Sequence, residues 1–223
     1  MSTTRETRQP AAARRRERER AILAATRQLF DQSGVRDAQI EDIAKAVGVN
    51  RAIIYRHFSG KEELFALTLV SYLEELDSRL ASSARGRRTP MSKLVAVTEE
   101  FVDFGLDYPA FVDCAQTLMR RRGPELLEEI SEGSLFRLGR GISACLKQVS
   151  DILDAGNESG DFHVDDSTLL ANHMYASGLG ALQLARVGML VKESAPGIPA
   201  IAPVSRDQVK NYVVATARAL AVG

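Results

Sequence analysis

The stretch that decides the fold is residues 39–61, which read QIEDIAKAVGVNRAIIYRHFSGK. Apolar residues recur at helical spacing on both sides of Gly48, and this spacing predicts two short helices joined by a tight turn. In such a helix-turn-helix the first helix packs across the second, and the second can enter the major groove of DNA. The side chains predicted to face inward are Ile43, Val47, Val49, Ile54 and Phe58.

Capping signals predict where these helices begin. Asn50 can cap the third helix of the chain, and Asp37 is the expected cap of the second. Residues 59–62 (SGKE) have the pattern of a capping box that opens a long fourth helix, in which Glu62 reaches back to the Ser59 amide.

The outward face of the third helix mixes cations, an amide, an aromatic ring and small apolar groups, as base reading and phosphate binding require. Arg51 and Arg56 can bind guanine or phosphate in a fork, although solvated surface charges are the alternative for both. Lys61, in the first turn of the fourth helix, is expected at a phosphate. The predicted DNA contacts are Gln39, Asn50, Arg51, Ala52, Ile53, Tyr55, Arg56, His57 and Lys61.

Residues 14–65 resemble the DNA-binding domain of the tetracycline-repressor (TetR) family of bacterial regulators. The resemblance is carried by residues 55–65 (YRHFSGKEELF) together with Ala24, Leu29, Phe30, Gly34, Ile43, Ala44, Gly48 and Val49. It implies an all-α fold of about nine helices, with a three-helix helix-turn-helix domain followed by a larger effector-binding and dimerisation domain. Ala38-Gln39 departs from the Ser or Thr pair usual in that family, which weakens the expected phosphate contact there.

Composition is ordinary for a globular protein, and the charge is unevenly distributed along the chain. The chain has 223 residues, 45% of them hydrophobic, and two cysteines, too few for a disulfide framework. The net charge of zero divides into +5 for residues 1–62 and −5 for the rest, which favours a polyanion partner for the front of the chain. The alternative is a polar arm that only aids solubility. Without a signal peptide or an apolar span, a cytoplasmic location is expected.

Three segments are expected: a flexible basic arm over 1–13, the helix-turn-helix domain over 14–60 and the helical effector domain over 61–223. The rear helices are predicted near 91–107, 109–122, 124–155, 165–192 and 205–221, and proline-rich residues 194–204 are predicted as an extended loop. The arginines near the front of the chain, which can follow the DNA backbone or enter the minor groove, are Arg14, Arg15, Arg16 and Arg18.

A homodimer is expected, because paired half-sites suit one helix-turn-helix per subunit. On the last two helices, small side chains and an apolar stripe favour a four-helix bundle between subunits, and packing within one subunit is the alternative. The residues predicted at this interface are Gly178, Ala181, Ala185, Gly188, Val209, Tyr212, Val213, Thr216 and Leu220.

The resemblance also implies an effector pocket between the middle helices. Its expected wall is apolar and aromatic, with plain core as the alternative for each residue: Phe101, Phe104, Phe111, Cys114, Leu118, Met119 and Tyr175. An apolar effector bound there would tilt the fourth helix and release a palindromic operator. No metal or cofactor is expected, since His163 and His173 lack the spacing of a ligand pair.

Two other function classes compete with a DNA-binding repressor. An enzyme is not expected, because the sequence lacks a GxSxG elbow, a phosphate-binding glycine loop and HExxH spacing. Glu99, Glu100 and Asp103 cluster on one helix, but they are interpreted as a hydrated face. The second alternative is a helical protein-interaction adaptor without DNA-binding activity, which salt-dependent binding to duplex DNA would exclude.

Overall fold

The computed structural model of the protein describes residues 11–35 and 39–223. Within these ranges ten helices and one β-hairpin follow one another along the chain. The first six helices are α1 (Ala11–Ser33), α2 (Ile40–Val47), α3 (Arg51–His57), α4 (Lys61–Ala84), α5 (Pro90–Asp107) and α6 (Pro109–Met119). The remaining elements are α7 (Gly123–Glu129), α8 (Glu132–Ser159), α9 (Ser167–Val187), β1 (Met189–Ala195), β2 (Ile198–Pro203) and α10 (Arg206–Val222).

The front of the molecule is a three-helix domain whose core is apolar. Ile22 and Phe30 of α1, Ile43 of α2 and Ile54 of α3 are all buried together. Gly48 ends α2 at a φ of 71°, a left-handed conformation that glycine adopts without a steric penalty, and the chain then turns into α3. The predicted all-α fold with an N-terminal helix-turn-helix is confirmed.

Helix α4 leaves this domain and runs through the centre of the molecule, where it packs on α1, α5, α6 and α8. Its attachment to α1 is polar as well as apolar. The buried Tyr72 hydroxyl donates a hydrogen bond to Asp31 over 2.6 Å, and the Arg27 guanidinium lies over the Tyr72 ring, 4.2 Å from its centroid. Burial, reinforced by the Asp31 carboxylate, raises the pKa of Tyr72. These contacts fix α4 relative to the front domain.

Helices α4 and α8 pack side by side and run in the same direction. The Leu73 carbonyl of α4 faces the Cys145 thiol of α8 at 3.5 Å, and one turn further the Asp77 carbonyl accepts a hydrogen bond from the Gln148 side chain at 2.8 Å. Helices α5, α9 and α10 pack together beside this pair. The parallel arrangement brings the N-termini of α4 and α8 to the same end of the molecule.

The structure corrects several expected boundaries. Helix α1 begins at Ala11, so the last three residues of the expected arm, 11–13, are helical, and Arg14, Arg15, Arg16 and Arg18 lie on the same helix. Residues 124–155 form two helices instead of one, because Ile130 is extended and buried and Ser131 caps a new helix. The first ten residues of the expected arm, and the expected cap Asp37 with Ala38, lie outside the described residues.

The stretch expected as the end of a long helix and an extended loop is a β-hairpin. Gly188 ends α9 at a φ of 70°, and β1 then pairs antiparallel with β2. Pro196-Gly197 makes the turn, with Gly197 at a φ of 76°, which is the arrangement that Pro-Gly pairs favour in type II turns. A two-stranded hairpin tolerates Pro199 and Pro203, because both strands are edges. No helix in the described ranges has both the length and the apolar composition to cross a bilayer.

Candidate DNA-binding face and apolar cavity

Helix α3 is held so that one face is buried and the other exposed. The Asn50 side chain accepts a hydrogen bond from the Ile53 amide at 3.1 Å, which satisfies a free donor at the start of the helix. Ile54 is 1% exposed, whereas Tyr55 is 44% exposed and both Arg51 and Arg56 are exposed. The cations and the ring therefore lie on the surface that a nucleic acid would approach.

Arg51 is engaged by an acid of the neighbouring helix. Its guanidinium lies 2.6 Å from the Glu41 carboxylate of α2, and it also donates to the Tyr55 hydroxyl at 3.2 Å. The hydrogen bond to Tyr55, and then the Glu41 charge, raise the pKa of Arg51. Glu41 was not among the expected site residues, although its position four residues ahead of Lys45 on an exposed face marked it as a surface acid.

The other expected DNA contacts occupy the same side with different exposure. Gln39, Asn50 and Ala52 are exposed, and Ile53, His57 and Lys61 are half-buried. The Nδ1 atom of His57 is buried and has no hydrogen-bond partner among the described residues. Burial, and then the nearby Arg15 charge, lower the pKa of His57. The Lys61 ammonium lies 5.1 Å from the centre of the Phe65 ring.

A buried carboxylate lies in the first turn of α4, next to the turn that follows α3. Glu63 is 5% exposed and accepts hydrogen bonds from the Ser59 amide at 2.5 Å and from the Ser134 hydroxyl at 2.7 Å, as well as from the Ser131 hydroxyl. Burial raises the pKa of Glu63, but the bonds from Ser131, Ser59 and Ser134 outweigh it and lower the pKa to about 2. We call Ser59, Glu63, Ser131 and Ser134 the Glu63 joint.

The joint corrects the capping box that the sequence predicts. Glu63, and not Glu62, accepts from the Ser59 amide, because the helix begins one residue later than expected and Gly60 occupies the cap position. Glu62 points elsewhere and lies 3.3 Å from the Arg121 guanidinium. The signal for Glu63 was a single acid on the otherwise apolar inward side of α4, but no feature of the sequence marked Ser131 and Ser134 as its partners.

An apolar cavity of about 480 Å³ lies in the rear half, between α4, α5, α8, α9 and α10. No Asp, Glu, Lys, Arg or His of the described residues lines it, and its polar groups are hydroxyls, a thiol and the Gln208 amide. Burial raises the pKa of Tyr175, and burial followed by the Asp77 charge raises that of Cys145 to about 12, so both are neutral. Side chains from each helix that form the wall include Leu76, Phe101, Val149, Tyr175, Ala181 and Tyr212.

Two of the seven expected pocket residues line this cavity, namely Phe101 and Tyr175. The other five do not line it. Met119 is 55% exposed at the end of α6, and four residues pack in the core instead: Phe104, Phe111, Cys114 and Leu118. Sequence periodicity identified these side chains as inward-facing but gave no means of telling a cavity wall from a filled core. Most of the actual wall comes from α4, α8 and α10, which the sequence did not single out for a pocket.

The residues expected between subunits lie in three settings. Gly178 is buried against Phe101, where an added Cβ would come within 2.7 Å of the ring, and Val209 is buried as well, so both face their own subunit's interior. Gly188 ends α9, and Ala185 is half-buried. Gly178 and Val209 also line the cavity, together with the remaining five residues, which are partly exposed at its rim: Ala181, Tyr212, Val213, Thr216 and Leu220.

Comparison with known proteins identifies the front domain. Residues 22–68 match the family model of bacterial regulatory proteins of the tetR family. The chain is 32% identical to the HTH-type transcriptional activator FasR of Mycolicibacterium smegmatis over 90 residues, which cover 40% of this chain and 41% of that protein. Across the first three curated relatives, the matched region spans between 41% and 58% of the relative's length.

Solved structures share the architecture along nearly the whole chain. The regulator FadR of Bacillus subtilis, in complex with stearoyl-CoA, superposes with a TM-score of 0.64 at 15% identity and covers 90% of this chain and 98% of that one. The ketosteroid regulator KstR2 of Mycobacterium tuberculosis gives 0.58 at 21% identity, covering 96% of this chain and 97% of that one. At these identities the likeness shows a common fold.

Proposed function

We propose that this chain is a ligand-responsive repressor of the TetR family of bacterial regulatory proteins, whose family model matches residues 22–68. In this proposal a homodimer binds a palindromic operator, and a small apolar effector releases it. Members of the family are DNA-binding transcription regulators. The operator symmetry, the sign of regulation and the effector chemistry are particular to this proposal.

One observation carries the DNA-binding part: α3 exposes Arg51, Tyr55 and Arg56 while Ile54 pins its opposite side into the core. A guanidinium fork fits guanine O6 and N7 or a phosphate, and a phenol donates to a phosphate oxygen. Lys61 stands at the first residue of α4, where free backbone amides and the helix dipole already favour an anion. We assign base reading to α3 and a phosphate contact to Lys61.

The cavity supports an effector that is apolar and uncharged. Its volume of about 480 Å³ lies within the range typical of small-molecule sites, and its wall offers no ionised group of the described residues. A buried carboxylate or phosphate would therefore lack a counter-charge, which is energetically costly. Hydroxyls of Thr98 and Tyr175 and the Gln208 amide are available to orient a neutral ligand.

The dimer is assigned to the surface of α9, the hairpin and α10. Most of the large apolar side chains that the described residues expose lie there, among them Leu169, Val187, Val191, Ile201 and Tyr212. Exposed apolar area of this kind marks contact surfaces in soluble proteins, and two-fold symmetry would bring the same elements of both copies together. Two copies then present two α3 helices to successive half-sites.

Release follows from linkage between the two sites. The effector is proposed to bind better to an arrangement in which the distance between the two α3 helices does not fit the two half-sites. Operator affinity then falls when the effector is bound, and effector affinity falls by the same factor when DNA is bound. A coupling of about 2 kcal/mol corresponds to roughly a thirtyfold loss of operator affinity.

The test selects duplexes from a random-sequence pool with the full chain and measures binding by fluorescence anisotropy at several salt concentrations. A palindromic consensus, a steep fall of affinity with salt and weaker binding in the presence of a neutral apolar ligand are expected. Light scattering with bound duplex should give two subunits per site. Salt-independent or absent duplex binding would instead favour the protein-interaction adaptor.

A further inference from the structure

The Glu63 joint lies where the N-termini of two helices meet. Glu63 belongs to the first turn of α4, and its carboxylate accepts from Ser131, the cap residue of α8, and from Ser134 in the first turn of α8. Its other oxygen accepts from the Ser59 amide, in the turn that joins α3 to α4. One buried side chain therefore connects the turn at the end of α3 to the start of α8.

From the joint, α4 and α8 continue in parallel to the cavity. Leu73 and Leu76 of α4 face it, as do Cys145 and Val149 of α8. Leu73 is ten residues beyond Glu63, a distance of about 15 Å along a helix. Helix α8 is unbroken from Glu132 to Ser159, so a displacement of its cavity wall is carried to its first turn.

We infer that Glu63 is a positioning residue that couples occupancy of the cavity to the orientation of α3, with α8 as the transmitting helix. This inference rests on the proposed function. Hydrogen bonds to one carboxylate tolerate shifts of only a few tenths of an ångström before they weaken. A ligand that moves α8 also moves Ser131 and Ser134. If their hydrogen bonds to the carboxylate break, the turn at Ser59 is released. If the bonds hold, the carboxylate moves with them and the turn at Ser59 is displaced.

A second set of contacts connects the turn after α3 and the first turn of α4 with α7 and the segment before it. The Ser59 hydroxyl donates to the Glu129 carbonyl at the end of α7 over 3.2 Å, and the Arg121 guanidinium lies 3.3 Å from Glu62 and 3.4 Å from Glu129. The Ser59 side chain thus binds the turn after α3 directly to the end of α7, and the Ser59 backbone amide is linked to Ser131 and Ser134 through Glu63. Movement of α8 therefore reaches α3 through this turn, alongside any tilt of α4.

The experiment compares the full chain with Ser134→Ala and Glu63→Gln, using N-phenyl-1-naphthylamine as a neutral apolar probe and a duplex selected by the wild-type protein. The duplex dissociation constant is measured without probe and with saturating probe, and the probe's own affinity is measured separately. A matched control is Ser150→Ala, which removes a hydroxyl from α8 whose one partner among the described residues is the Lys147 carbonyl of the same helix.

We expect the wild type and Ser150→Ala to lose at least tenfold in duplex affinity when the probe is bound. The affinity of Ser134→Ala and Glu63→Gln for the probe should lie within about twofold of the wild-type value. When the probe is bound, however, these variants should lose less than about twofold in duplex affinity. A purely structural role would lower thermal stability but leave this ratio unchanged, and a wild-type ratio in either variant overturns the inference. If Glu63→Gln fails to fold, Ser134→Ala decides. A wild type without duplex binding or probe response overturns the proposed function itself, and the joint's role falls with it.

Discussion

The outward face of α3 and the wall of the cavity are opposite kinds of surface. The first exposes Arg51, Tyr55 and Arg56 to solvent, and the second contains no ionised side chain among the described residues. A face of cations binds DNA through counterion release, so its affinity falls steeply as the salt concentration rises. An apolar wall binds a ligand by removing apolar surface from water, which contributes a free energy of about 25 cal/mol for each Å² buried. The affinity for such a ligand is insensitive to moderate salt. The two surfaces can therefore be examined independently.

They also differ in how the chain builds them. The α3 face comes from consecutive residues, so one local pattern specifies it. The cavity draws Leu73 of α4, Phe101 of α5, Val149 of α8 and Tyr212 of α10 together from distant parts of the chain. A local sequence motif is enough to predict a surface made of consecutive residues, whereas a surface assembled from five helices depends on how those helices pack.

The largest effect is expected at the α3 face. The double change Arg51→Ala and Tyr55→Ala should weaken binding to the selected duplex about a hundredfold, because a bidentate base contact contributes about 1–3 kcal/mol and each 1.4 kcal/mol is tenfold. Anisotropy titration measures the loss. The affinity for the neutral probe should stay within about twofold, since neither residue lines the cavity.

Arg140→Ala is the control for this change, because Arg140 is an exposed arginine of α8, away from α3. It should bind the duplex as the wild type does. If the double variant kept full duplex affinity, a surface other than the exposed side of α3 would have to make the base contacts.

The reciprocal effect is expected at the cavity. Ala181→Phe places a ring in the cavity wall and should weaken probe binding about tenfold or more by occupying the ligand's volume, while duplex affinity without probe is retained. Ala181→Val should give an intermediate loss. Fluorescence titration with the probe measures both, and Ala185→Phe, one turn further along α9 and outside the wall, is the matched control. Equal probe affinity in all of them would exclude this cavity as the effector site.

The front domain could be predicted from sequence because its signals are local. Asn50 as a cap, Gly48 at the turn and Ile54 in the core follow from spacing alone, and each lies in the structure where the sequence predicts it. The family resemblance over residues 14–65 drew on the same pattern and is confirmed by the matched family model.

The rear half could be predicted only as helices. Phe104 and Phe101 have the same helical periodicity, yet one is core and the other cavity wall, because the neighbouring helices decide which space is filled. The hairpin was missed because its prolines favoured a loop, and only the pairing of Met189 with Pro203 and of Glu193 with Pro199 makes these two prolines strand residues. Glu63 was missed because its partners lie about seventy residues away.

The smallest effect concerns the acid that holds Arg51. Glu41→Gln removes a carboxylate 2.6 Å from the guanidinium on an exposed surface, where such a pair contributes about 0–1 kcal/mol. We expect duplex affinity to rise about threefold, because Arg51 is freed for DNA and a negative charge beside the phosphates is lost.

Glu158→Gln removes an exposed charge of α8 and controls for the change in net charge. In an Arg51→Ala background the part of the gain that depends on the freed guanidinium should disappear, as a double-mutant cycle measures. A loss of affinity in Glu41→Gln would instead mean that Glu41 holds Arg51 in the orientation that DNA requires, and α2 would then belong to the reading surface together with α3.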